Sequence, residues 1–407
     1  SWDIDGSPME DTHGHHEFRS KFEDGKPVQH VNTDEENQPN IVFGYSTKNM
    51  IYNGNGHVSE VSYLDEIGFP LLYQGKYSKV KFLRDKKSGN ALRVDYYDTS
   101  GSLIEVSGIA TRVRRYDENG NVIHFENLDE QGLPVASDSY FKWEKTFDKS
   151  SNLLEQSFFG EKGELVNTSN GYARIRNMFD DYGNKIETRY FSRSGELIED
   201  EVAIKKFKYD MNGNLTEITY LDQNENLFSD SLEPAKVVSK YDEFGNLVEL
   251  KFFDANNAPK IYDGRAKVIR TMNSRGLLTS IQRFGVDGNL IDNADGYAAE
   301  TLQYDRLGKV KKLEFFNANS ERVNNSRGFA IVELRYDFFG NLENIKYFDN
   351  DYNPTKILAP ELDEMLIEAY RVSSIPEYFG IVISNHKVAD RAGYHSIQME
   401  YNSTQNI

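Results

Sequence analysis

The residues with chemical potential in this chain recur as a set: an aspartate, a glycine and an asparagine in the order Asp-x-x-Gly-Asn, with an aromatic residue in front. Clear copies are Tyr209-Asp210-x-x-Gly213-Asn214, Tyr241-Asp242-x-x-Gly245-Asn246 and Tyr336-Asp337-x-x-Gly340-Asn341. Asp accepts a backbone hydrogen bond two residues on, and Gly takes the positive φ that other residues resist, so each set predicts a tight turn. Repeated carboxylates also raise the question of calcium. These loops lack the alternating oxygen ligands of an EF-hand, and turn chemistry accounts for each Asp without a metal. His13, His15 and His16 form a histidine cluster, in which His13 with His15 has chelating spacing; a mobile N-terminal segment is the better reading. His57 and His124 lie inside repeats with no Ser or Asp signature beside them, and nothing nominates a triad. Cysteine is absent, which excludes disulfides, thiolate metal sites and cysteine nucleophiles. The expectation is a protein without catalytic residues, metal or cofactor.

What positions these residues is a long internal repeat. The anchors are Tyr52, Arg84, Tyr116, Phe147, Phe179, Tyr209, Tyr241, Met272, Tyr304 and Tyr336, at a period of roughly 30 to 32 residues. Gly108, Gly171, Gly264, Gly296 and Gly328 precede their anchors at one fixed offset. Ala110, Ala173, Ala203, Ala235, Ala266, Ala298 and Ala330 precede theirs at another. After the turn comes a period-two apolar stretch ending in an aromatic pair. In 246–253, Val248, Leu250 and Phe252 are expected on one face and Leu247, Glu249, Lys251 and Phe253 on the other. A second turn, marked by Gly132, Gly163, Gly195 or Gly288, leads to the next copy. Each unit reads as a β-hairpin with a short extension, unstable alone and stable in an array. Phe22 to Val28 reads as the second turn of a degenerate earlier copy. Lys251, Lys312 and Lys346 read as gatekeepers against edge pairing.

Composition supports a thin body over a thick globule. Of 407 residues only 38% are hydrophobic, while 25 Tyr and 25 Phe supply much of what a core needs. The recurring rings are read as core rather than as a sugar-binding row. Lys plus Arg number 47 against 65 Asp plus Glu, a formal charge of −18 that repels a phosphate backbone, so nucleic acid is not an expected partner. No apolar run is long enough to span a membrane. Asn167, Asn214, Asn324 and Asn402 stand in Asn-x-Ser/Thr triplets, read as accidents of an Asn-rich chain.

The repeat resembles the YD repeats of bacterial Rhs proteins, on Tyr209-Asp210-x-x-Gly213-Asn214 and its fellows over about three quarters of the chain. That resemblance implies a long β-sheet able to spiral, and a binding or spacing role without catalysis. Near the end, Tyr378-Phe379-Gly380-Ile381-Val382-Ile383 and Ala389-Asp390-Arg391-Ala392-Gly393 resemble part of a bacterial PDZ domain. By that resemblance Phe379, Gly380 and Ile381 would hold a peptide's terminal carboxylate, with the peptide added as a strand; a simple α/β cap is the alternative.

The expected fold is therefore all-β: an elongated array of about ten hairpin repeats in a stacked or spiralling sheet, closed by a small α/β segment. Residues 1–45 read as a cap or degenerate repeat, partly flexible, 46–356 as the array, and 357–407 as a helix from Pro360 plus the PDZ-like or capping segment. The expected function is a non-enzymatic structural or interaction protein, exported by a bacterium to the envelope or surface, with other proteins as partners. A peptide-recruiting part of a larger peptidase system and a carbohydrate-binding adhesin are the alternatives, with peptide termini or glycans as the corresponding ligands.

Overall fold

The computed structural model describes residues 17–34, 36–230, 233–339 and 341–355. The histidine cluster, the helix expected at Pro360 and the carboxylate loop Phe379, Gly380 and Ile381 lie outside the described residues. Within them the fold is all-β, an antiparallel hairpin-repeat sheet, as expected. Its 22 strands, two to a hairpin, make eleven hairpins. No helix among the described residues is long and apolar enough to cross a membrane.

One repeat shows why this sequence folds locally as it does. Strand β15 (Lys236–Tyr241) and β16 (Leu247–Phe253) are joined by the tight turn at Asp242. The amide of Gly245 donates to the Asp242 carbonyl at 3.1 Å, with Gly245 at φ +82°, where a side chain would be strained. Lys240 pairs with Glu249 while Tyr241 pairs with Leu247, so Val248 is the extra residue of a β-bulge. This corrects the expected facing. The bulge resets the alternation, and Leu247, Leu250 and Phe252 enter the core while Val248 does not. Strict period-two counting fails because Val248 is inserted between Leu247, which pairs with Tyr241, and Glu249, which pairs with Lys240.

The longer connection folds back on its own strand. Asp254 opens a turn closed on Ala258, Lys260 donates to the Phe252 carbonyl at 2.9 Å, and a second turn spans Tyr262 to Arg265. Ala266 then donates to Phe284 at 2.8 Å and accepts from Phe252 at 3.0 Å, tying two successive hairpins together. The repeating alanines Ala110, Ala173, Ala203, Ala235, Ala298 and Ala330 are all wholly buried at this junction. At the same place in the first unit stand Ser46, Ser78 and Phe141, whose amides make the matching bonds to the carbonyls of Leu64, Tyr97 and Phe159 at 2.9, 2.8 and 2.8 Å.

The chain divides into Ser1–Glu199 and Asp200–Ile407. In the first unit β1 (Glu17–Glu23) through β12 (Lys185–Phe191) each pair with the next. Here Phe22 to Val28 is a tight turn, with Asp24 at φ +48° and Gly25 at +75° joining β1 to β2 (Lys26–Thr33), and not the second turn expected. Two consecutive positive φ values suit a two-residue hairpin loop, whose twist matches the strands. In the second unit β13 (Ile204–Tyr209) through β22 (Leu342–Phe348) pair likewise. One apolar cluster runs through this unit, from Val202 through Phe252 and Phe315 to Val332.

Candidate interaction surface

Each Asp-Asn couple closes its own turn. Asp210 Oδ1 accepts from the amides of Asn212 and Asn214 at 2.9 Å, and Oδ2 accepts from the Asn214 side-chain amide at 2.9 Å. Asp117, Asp148 and Asp180 repeat this with Asn121, Asn152 and Asn184. The asparagine side chains, with the turn amides behind them, hold these carboxyls below the usual range. Among the described residues no group of His, Cys, Asp and Glu is arranged to hold a metal ion. Two asparagines of the Asn-x-Ser/Thr triplets are likewise held across repeats. Asn167 Oδ1 accepts from the Arg193 amide at 2.8 Å and Asn324 Oδ1 from the Asn350 amide at 2.9 Å.

The anchor tyrosines reach backward onto the preceding hairpin. Tyr241 donates its hydroxyl to the Leu215 carbonyl at 3.1 Å, Tyr304 to Leu278 at 2.6 Å, Tyr336 to Val310 at 3.0 Å and Tyr116 to Ala91 at 3.1 Å. Arg84 keeps the bond with its Nε, 2.6 Å from the Val58 carbonyl. At Phe179, which has no hydroxyl, Asn177 donates to the matching Leu153 carbonyl at 2.9 Å. Sequence shows the anchor's position but not this bond, because donor and acceptor sit a repeat apart.

The aromatic pair at each strand end serves two faces. Phe252 lies in the core against Tyr262, with ring centroids 5.1 Å apart, while its neighbour Phe253 pairs across strands with Lys236, whose ammonium sits 4.8 Å from the ring centre. Lys142 over Phe159 at 4.9 Å and Lys267 over Phe284 at 4.1 Å repeat the second contact. Such cation–π contacts contribute about 0.5–1 kcal/mol each when exposed. Lys251 pairs with Glu249 at 2.6 Å and Lys312 with Glu314 at 3.2 Å. Both lysines sit in strands paired on either side, so neither guards an edge, contrary to the sequence expectation. Lys346 lies in β22, the last described strand.

Charged groups are buried too, Glu300 and Arg270 in the second unit among them. Glu300, 1% exposed, meets Arg283 Nη2 at 2.8 Å. Burial, followed by neighbouring Arg265, pushes Arg270 down to about 10, partly offset by Glu300, so it remains charged at neutral pH. In the first unit His124 is buried, and Arg115 Nη2 lies 2.9 Å from its Nδ1. Arginine can only donate, so Nδ1 accepts and the ring proton sits on Nε2, toward Glu126 at 3.7 Å. Burial first and Arg115 second lower the His124 pKa, against the opposing pull of Glu126 and Glu144. The imidazole is thus a neutral strut.

Among the large apolar side chains the fold leaves outward are several that stand between Asp and Gly at the tight turns. Met211, Phe244, Leu307, Phe338 and Phe339 in the second unit, and Tyr182 in the first, are exposed, Phe338 at 94% and Tyr182 at 92%. Pattern reading passed over them, because a turn position carries no periodic signal and the Asp and Gly beside it drew the interpretation. Their backbones are fixed: the Phe244 amide donates to Asp242 Oδ1 at 2.9 Å and the Leu307 amide to Asp305 Oδ1 at 2.8 Å.

No protein-family model and no curated protein sequence matches the chain. Among solved structures it is similar to TcdB2-TccC3-Cdc42, with TM-score 0.33 and 12% identity over 87% of this chain and 21% of that one. It is similar to TcdB2-TccC3, with TM-score 0.32 and 13% identity over 87% and 22%. A porin-like protein from Bacteroides uniformis gives TM-score 0.17 and 12% identity over 60% of this chain and 94% of that one. The chain spans about a fifth of the length of the TcdB2-TccC3 chains it matches, 21% and 22%.

Proposed function

We propose that this chain is a non-enzymatic repeat scaffold of the YD, Rhs-like kind, which binds other proteins in an exported, bacterial envelope or surface setting. The observation that carries the reading is the division of labour among its side chains. Groups capable of chemistry are committed inward, as the turn aspartates to asparagines, the anchor hydroxyls to the preceding hairpin and His124 to Arg115. Several large apolar side chains, by contrast, are left outward at rigid turn tips. Exposed apolar surface on a soluble array favours association with another macromolecule. Aromatic rings stacked in a row without cover would favour glycans instead, but the strand-end rings Phe159, Phe253 and Phe284 each lie under a lysine.

The test is a crosslinked pull-down of the full chain from its native cell, with bound species identified by mass spectrometry. Stoichiometric recovery with envelope or surface proteins is the expected result. Recovery of peptides or glycans alone would replace the scaffold reading with recruitment or adhesion. Turnover of any recovered species by the purified chain would end the non-enzymatic reading.

A further inference from the structure

Resting on the scaffold reading above, we infer that the sheet face carrying Phe125 and Trp143 in the first unit binds a short acidic segment of a partner protein. The face spans β7 (Thr111–Tyr116), β8 (Val122–Leu128) and β9 (Lys142–Phe147). Directly paired residues share a face, so the pairings of Arg114 with Phe125, Phe125 with Trp143 and Arg112 with Asn127 put these side chains together, and Lys145 joins them two residues beyond Trp143. Phe125 and Trp143 stack with ring centroids 5.6 Å apart. Arg114 lies over Phe125 at 5.6 Å, Lys145 over Trp143 at 4.3 Å and Arg112 over Tyr96 at 5.7 Å. The rings hold three cations in place.

What these cations lack is an anion. Arg112, Arg114 and Lys145 are half-buried, and among the described residues none of their side chains meets a hydrogen-bond acceptor or a carboxylate. Burial alone lowers the Lys145 pKa, with no carboxylate opposing it. From β5 (Lys79–Arg84) to β12 this face carries no Asp or Glu. The acids of those strands stand on the opposite face and are met there by cations, as Asp95 is by Arg93, Glu155 by Arg176 and Glu187 by Arg189. Asn127, 3% exposed, adds an Oδ1 without a hydrogen-bond partner, at the place where Tyr96 and Phe158 stand in the neighbouring hairpins. An unsatisfied buried amide destabilises the fold, and costs of that kind gather at binding sites.

Charge and extent select the occupant. Arg112 and Arg114, alternate residues of one strand, stand about 6.8 Å apart, and β9 with Lys145 lies two strands across, about 9.6 Å, so two or three carboxylates cover the patch. Exposed Glu105, Glu118, Glu130 and Asp138 stand on the connections that lead into and join these strands, and the chain carries −18. A nucleic acid, an anionic membrane or a second whole copy would carry its charge past the patch onto those acids; a short run of Asp and Glu ends within it. Screening over about 8 Å in physiological salt keeps the attraction local.

The experiment uses the full chain and a fluorescent twelve-residue peptide of alternating Glu and Thr, with its Lys and Thr counterpart as reference. Saturable binding of the Glu peptide is expected, weakened by salt and absent for the Lys peptide. The site variant Arg112→Gln, Arg114→Gln, Lys145→Gln is expected to weaken it by about tenfold or more, as loss of facing charges does, whereas Arg112→Lys with Arg114→Lys retains it. The control variant Lys81→Gln, Lys142→Gln, Arg176→Gln removes the same charge from the opposite face and is expected to leave binding intact. Urea midpoints of the variants separate lost binding from lost folding. Equal binding of both peptides, equal loss in the site and control variants, failure of the lysine variant to bind, or no binding overturns the proposal. So does tighter binding of a twelve-nucleotide oligothymidylate, capture of phosphatidylglycerol vesicles, or a wild-type dimer that the site variant dissociates. The pull-down keeps the two readings apart: partners recovered equally by wild type and site variant sink the acidic-segment inference and leave the scaffold standing.

Discussion

In Asp200–Ile407 the rings of Tyr297, Phe315, Phe329 and Tyr347 follow one another with centroids 4.6, 5.9 and 4.9 Å apart, inside a continuous apolar cluster. In Ser1–Glu199 the corresponding row is largely phenolic and comes in two pieces. Tyr63, Tyr77 and Tyr96 make one, and Tyr140, Phe158, Tyr172 and Tyr190 the other. Between the pieces the row is filled by Ile109 and Asn127, the latter buried. The turn tips differ in parallel. Asn55, Lys86, Lys87, Glu118, Asn119 and Lys149 occupy them in the first unit before Tyr182, whereas four of the five tight-turn tips of the second carry at least one large apolar residue, Met211, Phe244, Leu307 and the pair Phe338 and Phe339. One hairpin design thus tolerates two ways of filling its interior, because backbone pairing, alanine junctions and backward-reaching anchors hold the repeat independently of ring chemistry. The unit with the drier interior also carries the more apolar rim.

The comparison can be broken most decisively at buried charge. Glu300→Gln removes the carboxylate facing Arg283 and leaves a buried guanidinium without its counter-charge, at a cost of about 3–5 kcal/mol. The matching change in the first unit, Glu155→Gln opposite half-exposed Arg176, is expected to cost about 1 kcal/mol or less. Urea unfolding followed by peptide-resolved hydrogen exchange reads both, and equal losses would erase the distinction between the interiors.

Ring deletion comes next. Phe315→Ala opens a cavity between Tyr297 and Phe329 and is expected to cost about 3–5 kcal/mol. Tyr96→Ala, at a partly exposed ring in the first unit, should fall below that range. The reverse order would mean that the phenolic row is the stiffer one. Tyr304→Phe keeps the ring and removes only the bond to the Leu278 carbonyl. About 1 kcal/mol is expected, seen as faster exchange in β18 (Leu278–Phe284) and β19 (Ala299–Tyr304).

The smallest effect is a pH dependence confined to the first unit. His30 and His124 have folded pKa values below the usual 6.5, His30 through burial and then Lys48, His124 through burial and then Arg115. The unfolded chain therefore binds their protons first as pH falls. Their contribution is complete above about 6.5 and is lost as pH falls through the lower folded values. No histidine lies between Asp200 and Thr355. Hydrogen exchange at pH 7.5 and 5.5 should show loosening around β2 and around His124, with the second unit unmoved. Equal loosening in both units would assign the effect elsewhere.

Much of this was legible in the sequence. Tyr241-Asp242-x-x-Gly245-Asn246 announces its turn because a single local motif supplies both the carboxylate acceptor and the residue for positive φ. Ala298 announces a buried junction because alanine recurs at one fixed offset from the anchor. What escaped depends on geometry between copies. Val248 was misfaced because a bulge is invisible to alternation, and the meaning of the aromatic pair was hidden because Phe253 finds its lysine across a strand pair. Phe338 was passed over because exposure at a turn has no period to detect.

The backward reach of the anchors gives the array a temporal order. Each hydroxyl finds its acceptor on the hairpin synthesised before it, as Tyr336 does at Val310 and Tyr304 at Leu278. A repeat emerging from a ribosome therefore meets the acceptor for its anchor already in place. At ordinary translation speed a new repeat arrives about every two to six seconds, far longer than a hairpin needs to close. The molecule can lock shut one rung at a time from its N-terminal side, so that the growing edge moves along with synthesis and each earlier rung is covered as the next one closes.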